Sequence, residues 1–178
     1  MNKRINSTLY TFCCGLLLAL SIPPALSGTA IHYSGDLVAG ACELVVNGDI
    51  MATVDFHTVS TDSFQATGKT NPIPFQLSLK NCHSALAAGV LVTFTGIQDS
   101  RLTNLLALES TSLASGFAIG IQTTDQQPLI INAAQGTPFV LTEGNTTINF
   151  QSWLEKYSDE DITPGEFTGS ATVEFEYQ

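Results

Sequence analysis

Apolar and polar positions along this chain alternate with a period of two in short runs, punctuated by Gly, Pro, Asn and Asp. Phe75, Leu77 and Leu79 alternate with Gln76, Ser78 and Lys80 and lead directly into Cys82. Upstream of Cys42, Ile31, Tyr33, Gly35 and Leu37 alternate with His32, Ser34 and Asp36. Leu44 to Val46 run into Asn47-Gly48-Asp49, a strong turn signal. The same pattern predicts strands at Val54 to Phe56, Val90 to Thr95, Phe117 to Gln122 and Leu129 to Asn132. Thr137 to Thr142 and Thr146 to Ser152 form a further predicted pair around Glu143-Gly144-Asn145. Only Leu102 to Leu108 has a mildly helical look. Many short strands with turns between them predict an all-β antiparallel sandwich rather than βαβ units.

Two runs do not fit a closed domain. In the last segment Phe167, Gly169, Ala171, Val173, Phe175 and Tyr177 share one face of a strand, and Thr168, Ser170, Thr172, Glu174 and Glu176 share the other. This predicts a long strand, ending beside Gln178, whose free edge no later segment pairs by a simple hairpin. The run from Thr29 to Leu37 poses the mirror problem, because it lies ahead of the cysteine that anchors the sandwich. It either packs within its own domain or projects to fill a neighbour's groove. Ten extended residues reach about 33 Å, enough to span a small domain.

The start of the chain changes the inventory. Lys3 and Arg4 precede an apolar stretch from Leu9 to Leu20, and small residues then suit cleavage after Ser27, or almost as well after Ser21. The expectation is an exported protein with residues 1–27 as signal peptide, 28–40 as an N-terminal extension and 41–178 as one domain. The apolar stretch is short for a membrane-spanning helix. Cleavage leaves four basic residues against sixteen acids, a net charge of −12. So acidic a chain offers no basic patch to nucleic acid or to an anionic membrane. Cys13 and Cys14 leave with the signal, and Cys42 and Cys82 remain to form one disulfide in an oxidising compartment. A zinc site is the weaker alternative, because two lone cysteines lack a second ligand pair.

The chain resembles the type 1 and P-pilus subunits of the chaperone–usher pathway. The matching stretches are Ile31-His-Tyr-Ser-Gly-Asp-Leu-Val38 ahead of Cys42, Phe75-Gln-Leu-Ser-Leu-Lys-Asn-Cys82, Phe117-Ala-Ile-Gly-Ile-Gln122, Pro128-Leu-Ile-Ile-Asn132, and Gly165-x-Phe167 leading to the penultimate Tyr177. Gly165, fourteenth from the end, falls where that family places a glycine. The resemblance implies an incomplete immunoglobulin-like sandwich lacking its last strand, completed by a donor strand from another subunit. It makes Ile31, Tyr33, Gly35 and Leu37 the inserting residues. It places Gly165, Phe167, Gly169, Ala171, Val173, Phe175, Tyr177 and Gln178 along the acceptor groove. The implied partners are a periplasmic chaperone that first fills the groove, an outer-membrane usher, and neighbouring subunits in a fimbrium at the cell surface. A single-domain adhesive subunit recognising a host ligand such as a glycan, and a terminating subunit, are the alternative roles.

No enzyme or cofactor is expected. His32, His57 and His83 fall in different predicted elements, and no Gly-x-Ser-x-Gly or His-Glu-x-x-His motif occurs. Asp159-Glu160-Asp161 lacks an EF-hand pattern and is expected to be a solvated acidic loop. Asn145-Thr-Thr matches a glycosylation acceptor but is most simply a hairpin turn. Trp153, the lone tryptophan, is expected in the core.

Overall fold

The computed structural model describes residues 40–45 and 52–178. Seven strands appear in this order: β1 (Glu43–Val45), β2 (Ile73–Cys82), β3 (Gly89–Gly96), β4 (Phe117–Thr123), β5 (Thr137–Val140), β6 (Gly144–Lys156) and β7 (Ala171–Tyr177), with one short 3-10 helix at Thr61–Phe64. They form two antiparallel sheets, β1-β2-β6-β4 and β5-β3-β7. This is the expected immunoglobulin-like sandwich.

Alternation along β2, β3 and β6 decides which side chains meet between the sheets. Leu77 and Leu79 of β2 and Ile148, Phe150 and Leu154 of β6 face Val90, Val92 and Phe94 of β3. Phe150, fully buried, is the centre of that layer. It stacks on Phe75 at 5.4 Å and meets Phe94 and Phe139 edge-on at 5.3 and 5.6 Å. Such aromatic geometry adds to what burial alone contributes. β4 is buried on both faces, so its residues read as a continuous apolar run.

Its outer face is covered by the segment between β3 and β4. That stretch, including Leu102 to Leu108, is a strap rather than a helix. Leu106 exchanges backbone hydrogen bonds with Ile119 at 2.9 Å in both directions, which covers the edge of β4. Leu105 and Leu102 then pack with Ala118, Trp153 and Tyr157 in a second, smaller apolar cluster. Trp153 is therefore buried, as expected, but beneath the strap and outside the sandwich core. It lies across from Gly120, where a Cβ would stand 2.3 Å from the indole ring.

Other expected elements differ. Val54 to Phe56 is not a strand: the Asp55 carboxylate accepts the His57 amide at 2.7 Å, and His57 takes φ 53°. Leu129 to Asn132 makes no ladder, since Pro128 lacks an N–H and Asn132 turns at φ 58°. Thr137–Val140 and the start of β6 are not a hairpin. β5 pairs with β3 while β6 pairs with β2 and β4, so the Glu143-Gly144-Asn145 turn crosses between sheets. Thr142 closes that corner with Asn145 and Thr146, and Gly144 adopts φ 84°. The final ladder starts at Ala171. Upstream, Gly165, Phe167 and Gly169 run beside residues 107–114, with Leu113 and Ala114 amides bonded to the Glu166 carbonyl and the Glu109 amide to that of Thr168.

Candidate functional site

β7 occupies the edge of its sheet. It pairs with β3 from Ala171↔Gly96 to Tyr177↔Val90, and no described strand pairs with its other side. Val173, Phe175 and Tyr177 turn inward and pack on the core, yet all three stay only half-buried. Thr172, Glu174 and Glu176 face solvent. β1 is the corresponding edge of the other sheet, paired only with β2 among the described residues.

Two contacts show how the edge strands approach. At one end the Tyr177 hydroxyl donates to the Cys42 carbonyl oxygen at 3.4 Å, and burial pushes that phenol's pKa up. Cys42 is disulfide-bonded to Cys82, which ties the beginning of β1 to the end of β2. The neighbouring Gln178 amide donates to the Gly89 carbonyl, and the Ala88 amide donates to the Gln178 carbonyl oxygen, both at 2.9 Å. At the other end Phe167 meets Phe117 edge-on at 5.2 Å and Phe56 at 5.9 Å. There a small cavity of about 70 Å³ opens between Val59, Phe64, Phe117, Ile162, Gly165 and Phe167. A backbone edge that no described strand pairs thus runs beside a partly exposed apolar strip, with an apolar hollow at its upstream end. Such an arrangement accepts an added strand through backbone hydrogen bonds and alternate side-chain pockets.

Gly165 fits this site for a steric reason. A Cβ there would lie 2.7 Å from both the Ala114 nitrogen and the Leu113 carbonyl carbon. Only glycine lets the chain lie that close to its neighbour before entering β7. Gly169 is similarly tight, against Ile119. Of the expected site residues, Ala171, Val173, Phe175, Tyr177 and Gln178 lie along this edge, Tyr177 reaches Cys42 of the disulfide, and Gly165, Phe167 and Gly169 lie upstream beside residues 107–114. Ile31, Tyr33, Gly35 and Leu37, like His32, lie outside the described residues.

Val59 and Phe64 at the cavity were not singled out by alternation, because they sit on an irregular segment and a 3-10 turn. The acidic run is not merely solvated. Asp159 and Glu160 each lie 2.9 Å from the Arg101 guanidinium. The described histidines stand apart, His57 beside Asp55 and His83 beside Glu143. Glu143 also accepts the Ser84 hydroxyl and amide at 2.7 and 2.8 Å, and these bonds hold its carboxyl below the usual range.

Comparison with known proteins gives the same answer from another direction. The family model described as fimbrial protein matches residues 31–178. A fimbrial-like protein of Escherichia coli strain K12, YfcP, is 41% identical over 178 residues, 99% of each chain. The type-1 fimbrial protein A chain of Salmonella typhi is 32% identical over 185 residues, again 99% of each. Among solved structures, the P pilus rod subunit PapA superposes with a TM-score of 0.67 at 21% identity, covering 78% of this chain and all of that one. The type I fimbria protein of Burkholderia pseudomallei superposes with a TM-score of 0.57 at 25% identity, covering 76% of this chain and 88% of that one. With an immunoglobulin-like sandwich, a β7 edge that no described strand pairs and a matching family model, the chain belongs to the fimbrial protein family and is a subunit of a chaperone–usher fimbrium at the cell surface.

Proposed function

We infer that this chain joins neighbouring pilus subunits, of its own or another kind, by donor-strand exchange at the β7 edge. Residues 1–27 are a signal peptide, 28–40 the donor extension and 41–178 the pilin domain. Ile31, Tyr33, Gly35 and Leu37 of one subunit enter the groove of the next and pair with β7. Gly35 takes the shallowest position. Before assembly a periplasmic chaperone covers the same edge, engaging Tyr177 and the carboxylate of Gln178, and an outer-membrane usher is where one strand replaces the other.

The observation that carries this reading is the half-buried row of Val173, Phe175 and Tyr177 on a strand with one edge that no described strand pairs. Fully burying an apolar side chain of this size contributes about 1.5–3 kcal/mol, and each is only part-way there. A strand added in trans completes that burial and satisfies the free backbone groups.

The test is thermal. A peptide of residues 28–40 is added to a subunit truncated before Leu37, and melting is followed by circular dichroism. Donor-strand exchange requires a large rise in melting temperature that disappears when Ile31, Tyr33 and Leu37 of the peptide are replaced by Ser. An unchanged melting temperature with the native peptide would sink the proposal.

A further inference from the structure

The cavity at the upstream end of the β7 edge has one wall, Ile162 to Phe167, that belongs to neither sheet. From Thr163 onward this wall is held by backbone hydrogen bonds, Thr163 with Ser115 and Glu166 with Leu113 and Ala114. Between the end of β6 and Thr163 the Tyr157 amide donates to the Gly116 carbonyl at 2.9 Å, and side chains from the strap supply further anchorage.

Arg101 is the centre of that anchorage. Its guanidinium lies 2.9 Å from both Asp159 and Glu160, and stands over the Tyr157 ring at 4.9 Å. The Tyr157 hydroxyl donates to Asp99 at 2.5 Å. Asp99 is buried, and its other oxygen accepts the Arg101 and Leu102 amides at 2.9 and 2.8 Å. The strap side of this clasp is fixed in turn by Leu102 and Leu105 packed on Trp153. The strap thus grips residues 157–160 two positions before the cavity wall begins.

We propose that Arg101 is a positioning residue for strand uptake: it holds the 157–161 segment against the strap so that the wall from Ile162 to Phe167 is in place before a donor side chain arrives. This rests on the donor-strand reading given above. Three consecutive acids, Asp159 to Asp161, repel one another in a chain of net charge −10, and Arg101 is the only arginine among the described residues. A single exposed ion pair contributes little. Here one planar guanidinium serves two carboxylates while lying on an aromatic ring, which a lysine ammonium cannot reproduce. A wall already in place spares the incoming strand the cost of ordering it, so its loss weakens binding rather than the sandwich.

The experiment is a double-mutant cycle read by fluorescence anisotropy. The full chain, native or Arg101→Gln, is titrated against a labelled peptide of residues 28–40 and against its Ile31→Ala, Tyr33→Ala and Leu37→Ala versions. Arg101→Gln is expected to weaken the native peptide by about 3- to 10-fold, with Arg101→Lys in between. One alanine peptide, lacking the side chain that enters the cavity, should lose most of that sensitivity while the other two keep it. High salt should weaken the native pair and leave Arg101→Gln nearly unchanged. If Arg101→Gln weakens all four peptides by one common factor, or none, the positioning role is overturned while strand uptake stands. If no peptide binds the native chain, the donor-strand reading falls and this inference falls with it.

Discussion

Gly165→Ala tests the steric account of the approach to β7. The added methyl carbon would lie 2.7 Å from the Ala114 nitrogen, 2.7 Å from the Leu113 carbonyl carbon and 2.8 Å from the Leu113 Cβ. Two of these are backbone atoms, and Ala114 is anchored through the Glu166 carbonyl, so no side-chain rotation relieves the contact. Forcing a methyl into such a site costs about 1–3 kcal/mol. Against this, alanine restricts the unfolded chain and returns about 0.4–1 kcal/mol. The net expectation is a loss of about 1–2 kcal/mol. For a domain of this size it lowers the melting temperature by about 3–6 °C. The assay is thermal unfolding by circular dichroism, with urea melts to check that the slope is unchanged. Gly40→Ala is the control, because its Cβ would meet only the Cys42 carbonyl oxygen at 3.5 Å. If Gly165→Ala melts at or above the native temperature while Gly40→Ala behaves as a neutral change, the close approach is not what requires glycine there.

Three further outcomes follow from contacts described above. Replacing Cys42 and Cys82 together by Ser should cost about 2–4 kcal/mol in denaturant melts, and adding reductant to the native chain should reproduce most of that loss. Tyr157→Phe removes a hydrogen bond to buried Asp99, which keeps its two amide donors, so a loss of about 1–2 kcal/mol is expected; an unchanged urea midpoint would contradict it. Glu143 is the pH-sensitive case. Its folded pKa lies below the unfolded one, chiefly through Ser84, so its contribution is fully present above the ordinary carboxylate range and is lost as pH falls through the lowered value. Glu143→Gln should therefore narrow the gap between melting temperatures at pH 7 and pH 3 relative to the native chain.

Alternation made the central strands legible before any coordinates. The runs around Leu77, Val92, Ile119 and Phe150 became β2, β3, β4 and β6 because each carries a stripe that only an opposing sheet can cover. Alternation says which side chains share a face, not which sheet owns that face. The Thr137–Ser152 stretch therefore looked like a hairpin, although Thr142 and Gly144 turn it across the sandwich. Nor does it register an outer face that a loop covers, so Trp153 pointed to the core while Leu102 and Leu105 supplied its actual cover. The β7 strand was legible because its apolar positions, Val173, Phe175 and Tyr177, alternate with Thr172, Glu174 and Glu176. The cavity was not, since Val59 and Phe64 reach it from irregular backbone, and the partners of Asp159 and Glu160 lie 58 or more residues earlier in the chain.

The Cys42–Cys82 bridge also fixes a load path. Tension entering the described domain at Gly40 meets the disulfide at Cys42 before it reaches β1. Among the described residues β1 pairs with β2 over Glu43–Val45 alone, three residues that could be peeled away one hydrogen bond after another. The covalent link instead passes force sideways into β2, a ten-residue strand paired with β6 along its length. Pulled lengthwise, that ladder must shear many bonds at once rather than unzip. The shortest described strand is thereby removed from the line of force, and the load falls on the longer β2–β6 ladder.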